Sequence, residues 1–192
     1  SRQMVIAFDL EKGSRPVLYY GEKDHGDAYQ QYAHKALAYR VVDYKRMNTH
    51  FVRLDNLKPN TKYYFVIKDS RDVSRQLFFR TLPDDGTTPL SIIAGGDSRS
   101  NDAQRRITHQ LVKLIRPDLV MFGGDFTPYG FSRQWKNWFD DWQLTIGEDG
   151  LLVPLLVARG NHEFSNEMME KLWAVPNPDI YYAVNLNKNL VR

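Results

Sequence analysis

The sequence contains no cysteine among its 192 residues. This absence excludes a disulfide framework, a thiolate metal site and a thiol nucleophile. A metal ion bound by this chain must therefore be held by oxygen atoms and imidazole nitrogens. Histidine is scarce as well: the chain has five, and none follows His162. Few imidazole groups are therefore available as metal ligands, and His162 is the last of them along the sequence.

Long hydrophobic runs are also missing. The longest candidate, "LLVPLLVA" at residues 151–158, has the length of a strand and contains Pro154. A helix that spans a bilayer needs about 20 predominantly apolar residues. We therefore predict no transmembrane segment.

A large excess of charge of one sign is absent too. The formal net charge is +3, and residues 1–88 carry 15 Lys and Arg against 11 Asp and Glu. Residues 89–192 carry 11 against 12 and are close to neutral. A nucleic-acid groove is a strongly basic surface. The charge distribution therefore predicts that nucleic acid is not a partner.

The first half of the sequence consists of short stretches rich in β-branched and aromatic residues, separated by polar clusters. This spacing predicts strands of an all-β sandwich over residues 1–86. The predicted strands are residues 4–10, 15–20, 37–44, 50–57, 62–69 and 75–81.

The stretch "LDNLKPNTKYYFVI", residues 54–67, resembles the strand-turn-strand signature of fibronectin type III-like domains. Leu57, Pro59 and Thr61 would form the corner, and Tyr63 would begin the next strand. In such a tyrosine corner the ring is buried and the hydroxyl binds the backbone just upstream.

The stretch "TLPDDGTTPL", residues 81–90, has the composition of a linker. Beyond it, residues 87–192 alternate between strand and helix patterns, which is typical of a parallel α/β sheet with right-handed crossovers. The predicted strands are 90–94, 119–122 and 151–158, and the predicted helices are 102–115 and 132–146. The chain is therefore predicted to be a multidomain protein, all-β and then α/β.

Polar side chains follow each predicted strand of the second half, in "GGDSRS", "GGDFTPYG" and "RGNHEFS". In a parallel sheet the carboxyl ends of the strands lie at one edge, so Asp97, Asp125, Asn161 and His162 should converge there. The glycines would allow sharp turns with positive φ. A single "GGD" is more often a tight turn whose aspartate caps a helix. The occurrence of Asp, Asp and Asn-His after three successive strands instead favours a metal site.

Two carboxylates, an amide oxygen and an imidazole suit ions such as Fe, Mn, Zn or Mg. A pair of such ions about 3.5 to 4 Å apart polarises a phosphoryl oxygen and generates a hydroxide nucleophile. The residues therefore predict a site for metal ions, and two such ions would suit reactions at a phosphoryl group.

The order of "GD", "GGDF" and "GNHE" resembles the first three sequence blocks of the calcineurin-like metallophosphoesterases. With the preceding fibronectin-like part, the chain is similar to the purple acid phosphatases in particular. The resemblance implies one part of a four-layer α/β/β/α fold. It also implies that Asp97 binds one metal, Asp125 bridges both, Asn161 binds the second, and His162 contacts phosphate or protonates the leaving group. A secreted or periplasmic location is implied as well.

The chain departs from this family pattern in its first two loops. Arg99 stands where the wider superfamily has a histidine, and Pro128 stands where purple acid phosphatases have a metal-binding tyrosine. Tyr129 lies one residue later, and a shift by one residue in a tight loop redirects the side chain. We expect the tyrosine ligand to be absent, with Tyr129 as the alternative candidate. Arg99 could clamp a substrate phosphate or be a surface arginine at a helix entrance.

The family's last two blocks supply further metal-binding histidines, which this sequence does not contain. We therefore expect the 192 residues to be the N-terminal part of a phosphatase whose C-terminal half lies on the same parent protein or on a separate chain. The chain alone is expected to be inactive. The segment "DIYYAVNLNKNLVR", residues 179–192, is predicted to be a strand, a turn and the start of another strand.

Five apolar side chains of the second predicted helix follow a helical spacing. This face could stack on a base or sugar, but burial against the sheet is the favoured interpretation. The five are Trp135, Trp138, Phe139, Trp142 and Ile146.

The resemblance implies a metal-dependent phosphomonoesterase that uses metal-bound hydroxide and no covalent enzyme intermediate. One alternative is a phosphodiesterase or nucleotide pyrophosphatase on the same scaffold. The other is a non-catalytic binding module whose phosphatase half is degenerate, a possibility that the departures at Arg99 and Pro128 keep open.

Overall fold

The computed structural model describes residues 2–188, which divide into two compact units. The first unit comprises the residues up to Asp43, then Met47–Thr88 and the described residues from Ala183 on. The second comprises Tyr44–Arg46 and Pro89–Tyr182. The domain boundary between residues 86 and 87 stays a prediction, and the prediction did not foresee that the segment after Tyr182 groups with the first unit.

The first unit consists of two antiparallel sheets. Strands β1 (Met4–Asp9), β5 (Met47–Leu54) and β4 (Arg40–Tyr44) form one sheet in that order. Strands β3 (His34–Ala36), β2 (Val17–Gly21), β6 (Lys62–Lys68) and β7 (Leu77–Arg80) form the other. Fully buried Phe51 and Phe65 come from different sheets. The predicted all-β sandwich is confirmed, although the three-residue strand β3 was missed.

The tyrosine corner is present as the sequence predicts. Tyr63 is buried, and its hydroxyl oxygen accepts the backbone N–H of Lys58 at 2.9 Å. The buried hydroxyl of Thr81 donates to the Lys58 carbonyl at 2.6 Å and accepts the N–H of Thr61 at 2.9 Å. The side chains of Tyr63 and Thr81 thus serve, in place of water, as hydrogen-bond partners of the backbone in this loop.

The segment after Tyr182 is held to the first unit by one buried amide. The Asn187 side-chain oxygen accepts the N–H groups of Asp85 and Gly86 at 2.9 and 2.8 Å, and its amide donates to the Thr88 carbonyl at 2.8 Å. A buried amide with three satisfied hydrogen bonds fixes its surroundings. This explains why residues far apart in sequence group together.

The second unit contains a parallel three-stranded sheet with the order β10, β9, β8. The elements are β8 (Ile92–Gly95), α1 (Asp102–Ile115), β9 (Leu119–Phe122), α2 (Ser132–Trp142), β10 (Leu155–Val157) and α3 (Asn166–Leu172). The alternation of strand and helix matches the prediction, and it brings successive strands into contact. This unit is the described part of the predicted α/β half.

The aromatic face of α2 is buried, as favoured by its spacing. Trp135 and Trp138 are 0% exposed. The Trp138 ring packs edge-on against Phe122 of β9 and stacks on Trp142. These aromatic side chains therefore form core and are not a stacking platform for a ligand.

Beyond Thr88, three predicted elements differ from the structure by more than two residues at one end or throughout. Helix α2 ends at Trp142 and not at Ile146, because Thr145 directs its hydroxyl to the Trp142 carbonyl at 2.8 Å and a 3-10 turn follows. Strand β10 covers only three of the eight residues predicted. The predicted strand at 179–186 is wrong: a turn bond from Ile180 and a hydrogen bond from Tyr182 to the Val157 carbonyl hold the segment instead of a ladder.

The turn predicted at residues 187–189 is seen at Asn187 and Lys188, and the strand predicted after it lies outside the described residues. Within the described part of the chain, every helix is too short or too polar to cross a membrane.

The core of the first unit contains one imidazole without a polar partner. His50 is 8% exposed and stacks on Phe8, and neither ring nitrogen has a hydrogen-bond partner among the described residues. Burial lowers the pKa of His50, although Asp9 opposes this shift. The folded unit therefore holds this side chain in its neutral form at a cost in stability.

Replacing His50 with phenylalanine should stabilise the first unit by about 1 kcal/mol, because an apolar ring removes two unpaired polar atoms. Since the pKa of His50 is lower in the folded state, unfolding binds a proton, and stability is lost as pH falls below about 6.5. His50→Phe should remove that part of the pH dependence. Urea unfolding followed by circular dichroism at pH 7.5 and 5.5 measures both effects.

All four tryptophans lie between residues 135 and 173, in the second unit. Urea unfolding followed by tryptophan fluorescence therefore reports on the second unit and serves as the internal control. Its midpoint should be the same in the wild-type protein and in His50→Phe. An unchanged or lower midpoint by circular dichroism at pH 5.5 would contradict the prediction.

Candidate functional site

The three strands of the second unit end side by side. Gly95 is paired with Phe122, and Phe122 with Val157, so the last residues of β8, β9 and β10 are aligned at one edge. The loops that follow carry Asp97, Asp125 and His162. The structure thus brings the predicted segments to one place, as the carboxyl ends of a parallel sheet require.

Backbone hydrogen bonds join the first loop to the second. The N–H of Gly123 donates to the Gly95 carbonyl at 2.6 Å, and the N–H of Asp97 donates to the Gly124 carbonyl at 2.9 Å. Two residues later, the N–H of Arg99 donates to the Asp125 carbonyl at 3.1 Å. The two Gly-Gly-Asp segments are therefore held against each other by their main chains.

The second and third loops approach so closely that two glycines are needed. A Cβ atom at Gly124 would collide with the backbone nitrogen of Gly160, and one at Gly160 would collide with the Asp125 carboxylate. Gly124 has φ +89°, as expected for a glycine in this loop. In contrast, Asp97 and Asp125 themselves adopt φ +55° and +56°, a conformation expected here for glycines. Backbone strain of this kind at candidate functional residues is typical of a site whose geometry is fixed before the ligand binds.

A fully buried carboxylate connects the second and third loops. Glu163 accepts the N–H groups of Asp125, Phe126 and Gly160 at 2.9, 2.8 and 2.6 Å. In addition, Asp125 Oδ1 accepts the N–H of His162 at 2.9 Å. The main chains around both candidate residues are therefore fixed by negative oxygen atoms, which form strong hydrogen bonds.

Asp97, Arg99 and His162 form a side-chain cluster. Both oxygens of Asp97 are bound by the Arg99 guanidinium, through Nε and, at 2.8 Å, Nη2. This hydrogen bond raises the pKa of Arg99. Arg99 Nη1 lies 3.2 Å from His162 Nε2, and His162 Nδ1 lies 2.7 Å from the Pro128 carbonyl.

A carbonyl oxygen can only accept a hydrogen bond, so the geometry assigns the proton of neutral His162 to Nδ1. The Nε2 lone pair then faces the Arg99 guanidinium. Pro128 thereby fixes the orientation of the ring, and Nε2 is the nitrogen turned towards Asp97 and Arg99.

The other two candidate residues are less involved. Asn161 lies exposed on the 3-10 turn Asn161–Glu163, directly before His162. Tyr129 is 63% exposed with its ring against Phe131, and within residues 2–188 its hydroxyl makes no hydrogen bond to Asp97 or Asp125. Over the same residues, no three His, Asp or Glu side chains form a cluster suited to a metal ion.

The donor set nevertheless fits a cation. Both carboxylate oxygens of Asp97 face a cationic group, the Arg99 guanidinium. Asp125 Oδ1 is used by His162, and its other oxygen has no partner among the described residues. Carboxylate and amide oxygens with one imidazole are ligands for hard or borderline metal ions. The roles of Asp97, Asp125, Asn161 and His162 as ligands stay predictions.

Sequence reasoning missed the residues that support the site. Glu163 was noted only as part of "GNHE", although a charged residue between a strand end and a helix was a signal. Arg105, 5% exposed, donates to the Arg99 carbonyl at 3.1 Å and pairs with Asp141. Ser98 links the Trp138 indole to the Phe126 carbonyl, both at 3.1 Å. No sequence pattern indicated these last two links.

Glu163→Gln should destabilise the second unit by about 2 kcal/mol, because one amide NH₂ must then face backbone N–H donors. Tryptophan fluorescence during urea unfolding measures the loss. Amide hydrogen exchange should accelerate at Asp125, Phe126 and Gly160. Glu148→Gln, a substitution at an exposed site of the same unit, is the matched control. Equal stability of the two variants would contradict the structural role of Glu163.

Comparison with known proteins identifies the family of the chain. The model of the purple acid phosphatase N-terminal domain matches residues 1–81, and the model of calcineurin-like phosphoesterases matches residues 54–190. A purple acid phosphatase of Glycine max is 26% identical over 182 residues, 90% of this chain and 38% of the relative. An Fe(3+)-Zn(2+) purple acid phosphatase 12 of Arabidopsis thaliana is 25% identical over 157 residues, 80% of this chain and 33% of the relative.

Two solved structures share the fold at 16% identity. Purple acid phosphatase PPD1 from yellow lupin (Lupinus luteus) seeds aligns with 84% of this chain and 33% of its own at a TM-score of 0.60. The structure of PhoD aligns with 94% of this chain and 40% of its own at 0.63. The chain thus spans between a third and two-fifths of the length of these proteins. It belongs to the calcineurin-like phosphoesterase family, with a purple acid phosphatase N-terminal domain preceding the phosphoesterase part.

Proposed function

We propose that the protein carrying this chain hydrolyses phosphate monoesters with two metal ions, drawn from Fe, Mn, Zn or Mg. The observation that supports this most is the meeting of three strand-end loops at Asp97, Asp125 and His162, joined by direct hydrogen bonds. The membership of a phosphoesterase family supports the reaction class. The name of one relative includes Fe(3+) and Zn(2+), which supports a pair of metals.

Asp97, Asp125 and Asn161 would hold the metal ions, with Asp125 between them. When bound, such ions polarise a phosphoryl oxygen and lower the pKa of a water molecule that attacks phosphorus. The protein's own contribution is positioning. The strained backbone at Asp97 and Asp125 and the bonds to Glu163 hold the carboxylates without reorganisation.

His162 would act on the substrate through Nε2. Its Nδ1–H is engaged by the Pro128 carbonyl, so Nε2 is the atom that can accept or deliver a proton at the ester oxygen. Arg99 lies beside it and would bind a phosphate oxygen. Tyr129, exposed beside Phe131, is not included among the proposed ligands.

The activity is proposed for the protein with the further part of the phosphoesterase domain, because this chain spans only part of its relatives.

Helix α1 has an apolar face that is exposed, which supports the presence of such a further part. Its members, between 48% and 72% exposed, are Ile107, Leu111, Leu114 and Ile115. An exposed apolar face of this kind marks an interaction site. We propose that the C-terminal half of the domain covers it. The secreted or periplasmic location stays a prediction.

Asp125→Asn should abolish hydrolysis of phenyl phosphate and weaken binding of Mn²⁺ in the full-length protein. Asparagine tolerates the positive φ of this position and keeps the oxygen that accepts the His162 N–H, so the loop should survive. Calorimetric titration and steady-state rates measure the two effects. Asp140→Asn, on the exposed face of α2, is the control. Retained metal binding and turnover in Asp125→Asn would refute the bridging role, whereas a wild-type protein without turnover would favour the non-catalytic module.

Arg99→Gln should strengthen Mn²⁺ binding roughly threefold to tenfold, because the guanidinium that occupies both Asp97 oxygens is removed. The same variant should raise KM for phenyl phosphate, since a phosphate contact is lost. Arg159→Gln removes a nearby positive charge that binds Asn166 and not Asp97, and serves as the control. Unchanged metal affinity in Arg99→Gln would exclude Asp97 as a metal ligand.

A further inference from the structure

A cavity of about 350 Å³ adjoins the candidate site. Residues near the beginnings of α1 and α2 line it, with the loop between β9 and α2 as a third wall. The lining residues that matter here are Arg99, Ser100, Phe131, Arg133, Gln134 and Asn137. Small-molecule pockets have volumes of about 300 to 1,000 Å³, so this one can hold the organic part of a small substrate.

Arg99 belongs to both the cavity and the candidate site. Its guanidinium contacts Asp97 and His162, and the same side chain forms part of the cavity wall. A molecule that places a phosphate at Arg99 and His162 therefore has the cavity as the adjoining space for its remaining atoms.

Two of the three arginines in the cavity wall are already neutralised. Arg99 is held by Asp97. Arg105 is 3% exposed in its side chain and is paired with Asp141 and, at 3.0 Å, with Asp102. Asp102, the acidic residue of the wall, is thereby occupied and does not serve as a counter-ion elsewhere.

Arg133 is the arginine of this wall that lacks a counter-ion. It is exposed, and among residues 2–188 no acidic side chain forms an ion pair with it. A guanidinium offers a planar set of donors that matches carboxylate and phosphate groups. Its position in a cavity wall, apart from the arginine at Asp97, creates a second place for an anion.

The rest of the wall suits a small organic body between the two arginines. The Phe131 ring is 63% exposed and gives an apolar surface. Asn137 offers a neutral amide, and the Gln134 side-chain oxygen is already used by the N–H groups of Tyr129 and Phe131. A ligand that fits therefore has an apolar centre and an anionic group at each end.

We propose that this cavity binds a second anionic group of the substrate. The substrate class is a phosphate ester that also carries a carboxylate or a second phosphate, with the reacting phosphate at Arg99 and His162 and the other group at Arg133. This inference rests on the proposed function for its kinetic consequences, whereas the binding of an anion at Arg133 does not depend on catalysis.

The kinetic test compares phenyl phosphate, 4-carboxyphenyl phosphate and 1,4-phenylene bisphosphate as substrates of the full-length protein. Arg133→Gln should raise KM for the two doubly anionic esters about tenfold more than for phenyl phosphate, because one charge-assisted hydrogen bond is lost. The two esters distinguish a carboxylate from a phosphate as the preferred second group. Lys136→Gln removes the same charge one turn further along α2, outside the cavity wall, and should leave the ratio of KM values unchanged.

The binding test uses 1,4-phenylene bisphosphate with a chelator present, followed by calorimetry. Wild-type protein should bind it at least tenfold more tightly than Arg133→Gln, and Arg133→Lys should bind with intermediate affinity. If no ester is hydrolysed but this dependence on Arg133 is found, the cavity assignment holds and the proposed function fails. If phenyl phosphate is hydrolysed and Arg133→Gln changes neither the ratio of KM values nor the binding, the cavity assignment is overturned.

Discussion

The carboxylate of Glu163 is the interaction on which the site depends. It is fully buried and accepts three backbone N–H groups, two from the loop after β9 and one from the loop after β10. A buried carboxylate without partners would be strongly destabilising, whereas three charge-assisted hydrogen bonds offset its desolvation. The same bonds replace the ladder that ends at Phe122 and Val157. The loops are therefore held to each other beyond the ends of the strands.

This fixed main chain leaves the side chains of the site available for chemistry. Asp125 uses its N–H for Glu163 and its carbonyl for Arg99, and within residues 2–188 only one of its carboxylate oxygens has a partner, the His162 N–H. The positive φ at Asp97 and Asp125 is maintained because neighbouring bonds determine the backbone on both sides. The supporting role falls to Glu163 and Arg105, whose side chains face the interior. Glu163 and Arg105 thus hold the loops in position, whereas Asp97 and Asp125 carry the candidate reactive groups.

The sequence allowed prediction of the features that follow from periodicity. Helix α1 and strand β9 have the predicted bounds, and the convergence of Asp97, Asp125 and His162 follows from parallel strands in sequential order. Features that depend on tertiary partners could not be predicted. The apolar stretch at 179–186 forms no strand, because a strand needs a neighbour that local sequence does not specify. The contacts of Glu163 and the binding of Arg99 to Asp97 likewise depend on distant loops.

Arg99 gives the first loop a permanent positive charge, which a histidine at this position would not provide. An imidazole binds metal only when neutral and changes its charge near neutral pH, whereas a guanidinium binds no metal and stays charged. Asp97 therefore has a permanent cation beside it, and a metal ion can bind there only if the guanidinium moves away. The adjoining cavity has room for the displaced guanidinium, because Arg99 already forms part of its wall. If Asp97 holds a metal ion and the cavity an anion, as proposed, the two would be coupled through one residue, because the ion that displaces Arg99 would also make its guanidinium available to the substrate.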